Sequence, residues 1–333
     1  MRRNMIAIIV CVFIMGGSLM AQQVTEKHTG RPVATYSIVA VDTVNNEMGV
    51  AVQSHWFSVG PVVPWAKPGV GVVATQSLVD ISYGPLGLDL MEGGKSASQA
   101  LKALVTADEH SDVRQVAMLD VDGNIATHTG ENCIPEAGHI QGTTYSVQAN
   151  LMLNDKVWPA MSEAFETAEG DLAARMLASL KAAQDAGGDI RGKQSAAILI
   201  VNTESTGPVW ADTKMELRVE DHPNPVQELE RLIQLHRAYV HMNKGDLALE
   251  EHNVEEALKQ YGKAEKMAPD NLEMKFWHAV SLVNNDRVDE AIPLFKEIFA
   301  KDPNWATLLP RLKPVGQVDA DQGTIDRILE ETQ

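Results

Sequence analysis

Thr35-Tyr36-Ser37-Ile38-Val39-Ala40-Val41-Asp42 and Met48-Gly49-Val50-Ala51-Val52-Gln53-Ser54, separated by Asn45-Asn46-Glu47, decide how this chain is read. Both runs are rich in β-branched and small apolar residues, and the asparagines mark a turn, so together they read as a β-hairpin. A third strand follows over Gly69 to Thr75, and helical periodicity runs from Leu86 to Met91 and from Ala97 to Ala107. Strands resume at Gln115–Asp120 and Ile125–His128 around the Asp122-Gly123-Asn124 turn. The run from Thr144 to Leu153 is ambiguous in type. Residues 157–186 read as helix, stopped by Gly187-Gly188, and the continuous apolar stretch Ser195–Val201 reads as a buried strand. This order predicts an α+β unit in which sheets are covered by helices.

Beyond Val209 the composition changes and no strand is expected. Asp221-His222-Pro223-Asn224-Pro225 starts a helix. An internal repeat then appears: Glu256-Ala257-Leu258-Lys259-Gln260-Tyr261 aligns with Glu290-Ala291-Ile292-Pro293-Leu294-Phe295, and the same offset of 34 carries Ala268-Pro269-Asp270 onto Asp302-Pro303-Asn304. Small, aromatic and post-helix proline positions at that period resemble the tetratricopeptide repeat, with helix pairs stacked from residue 222 to 312 and a tail over 313–333.

The chain has 333 residues, 44 % hydrophobic and 22 % charged, which suits two globular domains. Its 28 Lys and Arg against 45 Asp and Glu give a net charge of −17, which repels nucleic-acid phosphates and anionic lipid. Arg2-Arg3, the apolar run Met5–Met15 and the small residues Gly16 to Ala21 read as a secretory signal over residues 1–21, too short to span a bilayer of roughly 20 apolar residues. The expected mature protein is periplasmic or secreted and free of the membrane. It retains Cys133 alone, so no intramolecular disulfide is expected. Residues 22–34 would be a linker or propeptide.

The segment from Thr35 to Val201 closely resembles the DUF1028 family, through TYSIVAVD at 35–42, GVAVQS at 49–54, VGPVVPWAKPGVGVVATQS at 59–77, YGPLGLDL at 83–90, HTGENC at 128–133, AGH at 137–139, YSVQANLM at 145–152 and GGDIRGKQSAAILIV at 187–201. That group is assigned to the N-terminal nucleophile (Ntn) hydrolase superfamily. The resemblance implies a four-layer αββα sandwich over residues 35–212 and an exported hydrolase of amide or peptide-like bonds. It also implies Thr35 as nucleophile, with its own freed α-amine as base, which requires a cut between Ala34 and Thr35. An amine of pKa about 7.7–8.0 can take the hydroxyl proton near neutrality. Lys67, by its charge, and Asn150, as oxyanion donor, fit the same scheme; a lysine beside a turn and a strand-end amide capping backbone are the structural alternatives. Gln53, Ser54, Gln76, Gln194 and Ser195 either line one cleft or satisfy backbone groups.

His128, Glu131, Cys133 and His139 crowd together as a zinc-like set in none of the standard spacings, and Cys133 with His139 is a second nucleophile–base pair without a nucleophile-elbow context. No cofactor is implied. The partners expected are an amide or peptide-like substrate and a peptide or protein held by the repeat module, with homo-oligomerisation left open. The competing reading is a non-catalytic scaffold whose helical repeats grip a partner.

Overall fold

The computed structural model describes residues 33–332. The segment read as an export signal, and its linker up to Pro32, lie outside the described residues.

The strands are β1 (Thr35–Asp42), β2 (Glu47–Ser54), β3 (Pro64–Lys67), β4 (Gly71–Ser77), β5 (Arg114–Asp120), β6 (Ile125–Thr129), β7 (Gly138–Gln141), β8 (Tyr145–Ala149), β9 (Ser195–Asn202) and β10 (Thr213–Val219). The helices are α1 (Tyr83–Glu92), α2 (Ala97–Ala107), α3 (Val157–Thr167), α4 (Leu172–Asp185), α5 (Val209–Asp212), α6 (Pro225–Glu250), α7 (Val254–Met267), α8 (Leu272–Val283), α9 (Val288–Lys301), α10 (Asn304–Leu312) and α11 (Gln322–Glu331). Two antiparallel sheets result, in the orders β10-β9-β2-β1-β8-β7 and β3-β4-β5-β6.

The expected hairpin is β1–β2, paired Thr35 to Ser54 through Asp42 to Glu47. Its turn is held by Asp42 Oδ1, which accepts from the Val44 and Asn45 backbone N–H groups, and by Asn46 at φ 54°, a left-handed position that asparagine tolerates. Alternation along β1 sets the two faces. Tyr36, Ile38 and Ala40 join the apolar cluster containing Met161, Phe165 and Met176 of α3 and α4, whereas Val39 and Val41 join Val72, Ala74, Ala117 and Leu119 of the other sheet. Helices α1 and α2 cover the opposite face of the four-stranded sheet through Leu88, Met91, Ala100 and Leu101. The ambiguous run at 144–153 contains β8, and the helical stretch at 157–186 is two helices broken at Ala168–Asp171, with Asp171 capping α4 through the Ala174 N–H.

Residues 213–219 correct the expectation of no strand past Val209: β10 pairs with β9 at the sheet edge. Its alternation was readable, since Met215, Leu217 and Val219 turn inward while Lys214, Glu216 and Arg218 are exposed. Helix α6 belongs to two cores. Val226, Leu229 and Ile233 pack in the sheet–helix cluster, whereas Ala238, Met242 and Ala248 pack with Ala257, Tyr261 and Ala264 of α7. One continuous helix, about 39 Å long at about 1.5 Å per residue, therefore fixes the repeat module to the sheets. Gly245 is required where α6 meets α7, because a Cβ there would lie 2.5 Å from the Tyr261 ring. The 34-residue correspondence holds in space: Ala257 and Tyr261 are buried as Ala291 and Phe295 are, and the turns fall at Pro269 and Pro303. The stretch expected as a tail folds as α11, whose Ile325 and Ile328 close the apolar cluster of α8 and α9.

Arg114, 2 % exposed, ties the start of β5 to two loops. Its Nε donates to Asp108 Oδ2 at 2.8 Å, Nη1 to the Leu78 carbonyl, and the Tyr83 hydroxyl donates to the same Asp108 oxygen. Burial alone would raise the Asp108 carboxyl, but the bonds from Arg114, the His110 N–H and Tyr83 outweigh it and hold the carboxyl below its ordinary value. Arg114→Met leaves this carboxylate without its cation and is expected to lower unfolding free energy by about 3–5 kcal/mol. A depressed carboxyl stabilises above its unfolded value of about 3.9, and that contribution disappears as pH falls through the lower folded value. Urea unfolding of both chains from about pH 7 down to about pH 3 checks this: the gap between them should narrow toward acid.

Candidate functional site

Thr35 opens β1, and Ser37, Val39 and Val41 continue its face toward the second sheet. Its side chain is fully buried, and Oγ1 lies 2.7 Å from the Val33 carbonyl and 3.2 Å from Ser54 Oγ. The Thr35 carbonyl accepts from Gln76 Nε2 and from the Asn150 backbone N–H, each at 3.1 Å. The preceding carbonyl, that of Ala34, accepts from Ser54 Oγ at 2.5 Å and from Arg191 Nη2 at 3.0 Å.

Arg191 is aimed by Asp189, whose side chain is fully buried. Nε meets Oδ1 at 3.0 Å and Nη2 meets Oδ2 at 2.8 Å, a two-pronged pairing that fixes the plane of the guanidinium. Asp189 also accepts from the His55 and Arg191 backbone N–H groups, and its main chain bridges to Met152. The carboxylate is thus held on several sides and directs the cation at the Ala34–Thr35 peptide bond. Two donors converging on one carbonyl oxygen in a buried setting stabilise the negative charge that oxygen carries when its carbon is attacked.

Beneath Thr35 a polar layer replaces the apolar packing expected between two sheets. Ser37 Oγ donates to Gln76 Oε1 at 2.7 Å, Gln76 Nε2 and Asn150 Nδ2 donate to Gln115 Oε1 at 2.8 and 3.0 Å, and Gln148 Nε2 reaches the Ala74 carbonyl at 3.2 Å. All five side chains are fully buried, and Asn150 Oδ1 and Gln148 Oε1 have no hydrogen-bond partner among the described residues. Unmet buried acceptors are costly in a packed core.

The sequence-expected residues separate into two groups. Thr35, Ser54, Gln76 and Asn150 come together, with the Asn150 amide nitrogen bound to Gln115 rather than directed at Thr35. Lys67 does not join them. It pairs with Glu92 at 2.6 Å and sits opposite Gly71, at the far end of β4 from Ser77, roughly 20 Å along a strand at about 3.3 Å per residue. Gln53 is buried on the helix-facing side with neither amide atom partnered among the described residues, Ser195 Oγ accepts from the Val59 N–H, and Gln194 binds Asp221 at the surface. The zinc-like set is dispersed: His128 bonds the Ser111 carbonyl, His139 bonds Thr129, and among the described residues no three His, Cys, Asp or Glu side chains converge to hold a metal. Cys133 does not pair with His139; its Sγ contacts the Arg114 carbonyl at 3.3 Å and receives Ser77 Oγ at 3.5 Å. Burial pushes its thiol up despite the opposing bonds from Ser77 and the Gly130 backbone, which disfavours the nucleophilic thiolate.

A model of the DUF1028 family, a family of unknown function, matches residues 35–229. The chain belongs to the DUF1028 family. That match covers both sheets and the start of α6, and a tetratricopeptide-repeat model matches residues 248–312. Among solved structures, the DUF1028 protein SPO2555 from Silicibacter pomeroyi is similar at 28 % identity and TM-score 0.54, over 60 % of this chain and 88 % of that one. No curated protein matches this DUF1028 chain. The repeat suggests a protein-interaction module appended to the DUF1028 unit.

Proposed function

We propose that this DUF1028 protein is an exported hydrolase of amide or peptide-like bonds, of the N-terminal nucleophile type, in which Thr35 becomes the nucleophile once the Ala34–Thr35 bond is cut. The observation carrying this reading is the pair of donors, Ser54 Oγ and Arg191 Nη2, on the Ala34 carbonyl beside a hydroxyl-bearing Thr35. The succession of helix, sheet, sheet and helix contacts supports a four-layer αββα sandwich of the same kind. Val33, Ala34 and Thr35 are 1 %, 0 % and 0 % exposed in the uncut chain; in this reading that chain is a precursor and cutting opens the site. The freed α-amine of Thr35 then serves as base for its own hydroxyl. Export follows from Arg2-Arg3 and the apolar run behind them. The appended repeats hold a peptide or protein partner; by themselves they favour the scaffold reading, in which no cut occurs.

Intact mass and N-terminal sequencing of the protein recovered from the periplasm separate the two. A major species beginning at Thr35 is expected, and material that all begins at Gln22, with the Ala34–Thr35 bond intact, overturns the hydrolase.

A further inference from the structure

Resting on that nucleophile reading, we infer that Val33-Ala34 occupies the acyl side of the substrate site, and that the substrates are peptides with a small residue before the scissile bond and a branched apolar residue before that. In self-cleavage Thr35 Oγ1 adds to the Ala34 carbonyl carbon, the carbon–nitrogen bond breaks, and the hydroxyl proton passes to the nitrogen, which becomes the α-amine. The product is an ester of Ala34 on Thr35 Oγ1. Water then adds, the ester carbon–oxygen bond breaks, Oγ1 regains a proton and Ala34 leaves as a carboxylate. This ester is the same chemical species as the acyl-enzyme formed from a substrate whose acyl part ends in Val-Ala, so the chain carries its own first acyl group.

Its surroundings are those of a peptide subsite. The Val33 N–H donates to the Ser77 carbonyl at 2.8 Å, and the Ser77 N–H donates back to the Val33 carbonyl at 3.1 Å, a one-rung antiparallel bridge of the kind by which an extended peptide joins a sheet edge. Ser77 adopts φ 75°, in the left-handed region that a non-glycine residue enters only when its surroundings hold it, and its Oγ is anchored on Cys133. Val33 belongs to the apolar cluster containing Val59 and Val63, and Ala34 is enclosed with no exposed surface. The site therefore reads a main-chain N–H and carbonyl two positions back from the amide, a branched apolar side chain there, and a methyl-sized one next to the reacting carbon.

The test uses the full chain after processing to Thr35, with coumarin amides of acetyl-Val-Ala, acetyl-Val-Phe, acetyl-Val-Lys and acetyl-(N-methyl)Val-Ala. Acetyl-Val-Ala is expected to exceed the Phe and Lys compounds in kcat/KM by at least about tenfold, and N-methylation, which removes the donor to Ser77, is expected to cost roughly tenfold. In parallel, a hydroxyl-directed β-lactone probe reports on Thr35. Probe labelling at Thr35 with no preference for Ala, no effect of N-methylation, or no turnover of acetyl-Val-Ala overturns the subsite and leaves the nucleophile standing. Absence of both a Thr35 terminus and Thr35 labelling overturns the two together.

Discussion

The Thr35→Ala chain will remain uncut at Ala34–Thr35 and will hydrolyse nothing, while folding to nearly the stability of the unaltered protein. Oγ1 contributes one proton shared between the Val33 carbonyl and Ser54 Oγ, an interaction of about 1 kcal/mol. Loss of a β-branched residue from a strand adds at most about 1 kcal/mol, small beside a total of about 5–15 kcal/mol. The space left is one hydroxyl and one methyl, at the edge of a polar layer whose remaining bonds, from Gln76 and Asn150 to the Thr35 carbonyl, are made by the backbone and survive the change. Chemistry, in contrast, has no substitute: among the described residues the other hydroxyl bonded at this peptide, Ser54 Oγ, already donates to the carbonyl oxygen. Thr35→Ser keeps the oxygen and should retain cutting at a reduced rate. Intact mass together with thermal melting reads both quantities; cutting of Thr35→Ala at the rate of the unaltered chain removes Thr35 from the mechanism.

Much of the fold could be read from local pattern. The β1–β2 hairpin carries its own turn residues, and the 34-residue repeat places Ala257, Ala291, Tyr261 and Phe295 where helix pairs must touch. The strand at 213–219 is masked in the sequence because its charged residues and the proline-rich segment after it look like a linker, although its alternation is that of a half-buried edge. At the site, Thr35 is marked only by the family resemblance, which implies a nucleophile at the head of the first strand, and Ser54 and Gln76 by being polar beside apolar runs. Arg191 and Asp189 lay within the quoted GGDIRGKQS stretch, yet nothing local assigns them a role: their importance comes from a loop folding back onto Ala34 across 157 positions of chain. Lys67 illustrates the converse. A lysine beside a turn gives no sign of which end of the sheet it will occupy, and here the β3–β4 register sets it opposite Gly71, far from Thr35, where it pairs with Glu92. Proximity in sequence likewise suggests a metal set at His128, Glu131, Cys133 and His139, but strand and loop positions send His128, Cys133 and His139 to different backbone or hydroxyl partners.

Arg191→Met should slow cutting of the Ala34–Thr35 bond by about 10²–10³, the effect of removing one preorganised oxyanion donor, or about 2.7–4 kcal/mol of barrier. The complication is Asp189, which is fully buried and loses its cationic partner, an exposure to several kcal/mol of destabilisation. Two features separate the effects. Asp189 keeps the His55 and Arg191 backbone N–H groups, which the substitution does not touch. Arg191→Lys also preserves the charge opposite Asp189 while losing the planar fork, since one ammonium cannot satisfy both carboxylate oxygens and also reach the Ala34 carbonyl. Stability should therefore recover in Arg191→Lys while the cutting rate stays well below that of the arginine chain. The measurement is the time course of cutting in freshly synthesised chains, beside urea unfolding of each. If cutting tracks stability across Arg, Lys and Met, the guanidinium is only a strut for Asp189; a slow rate in a stable Arg191→Lys chain means that the charge developing on the Ala34 oxygen is met by Arg191 itself.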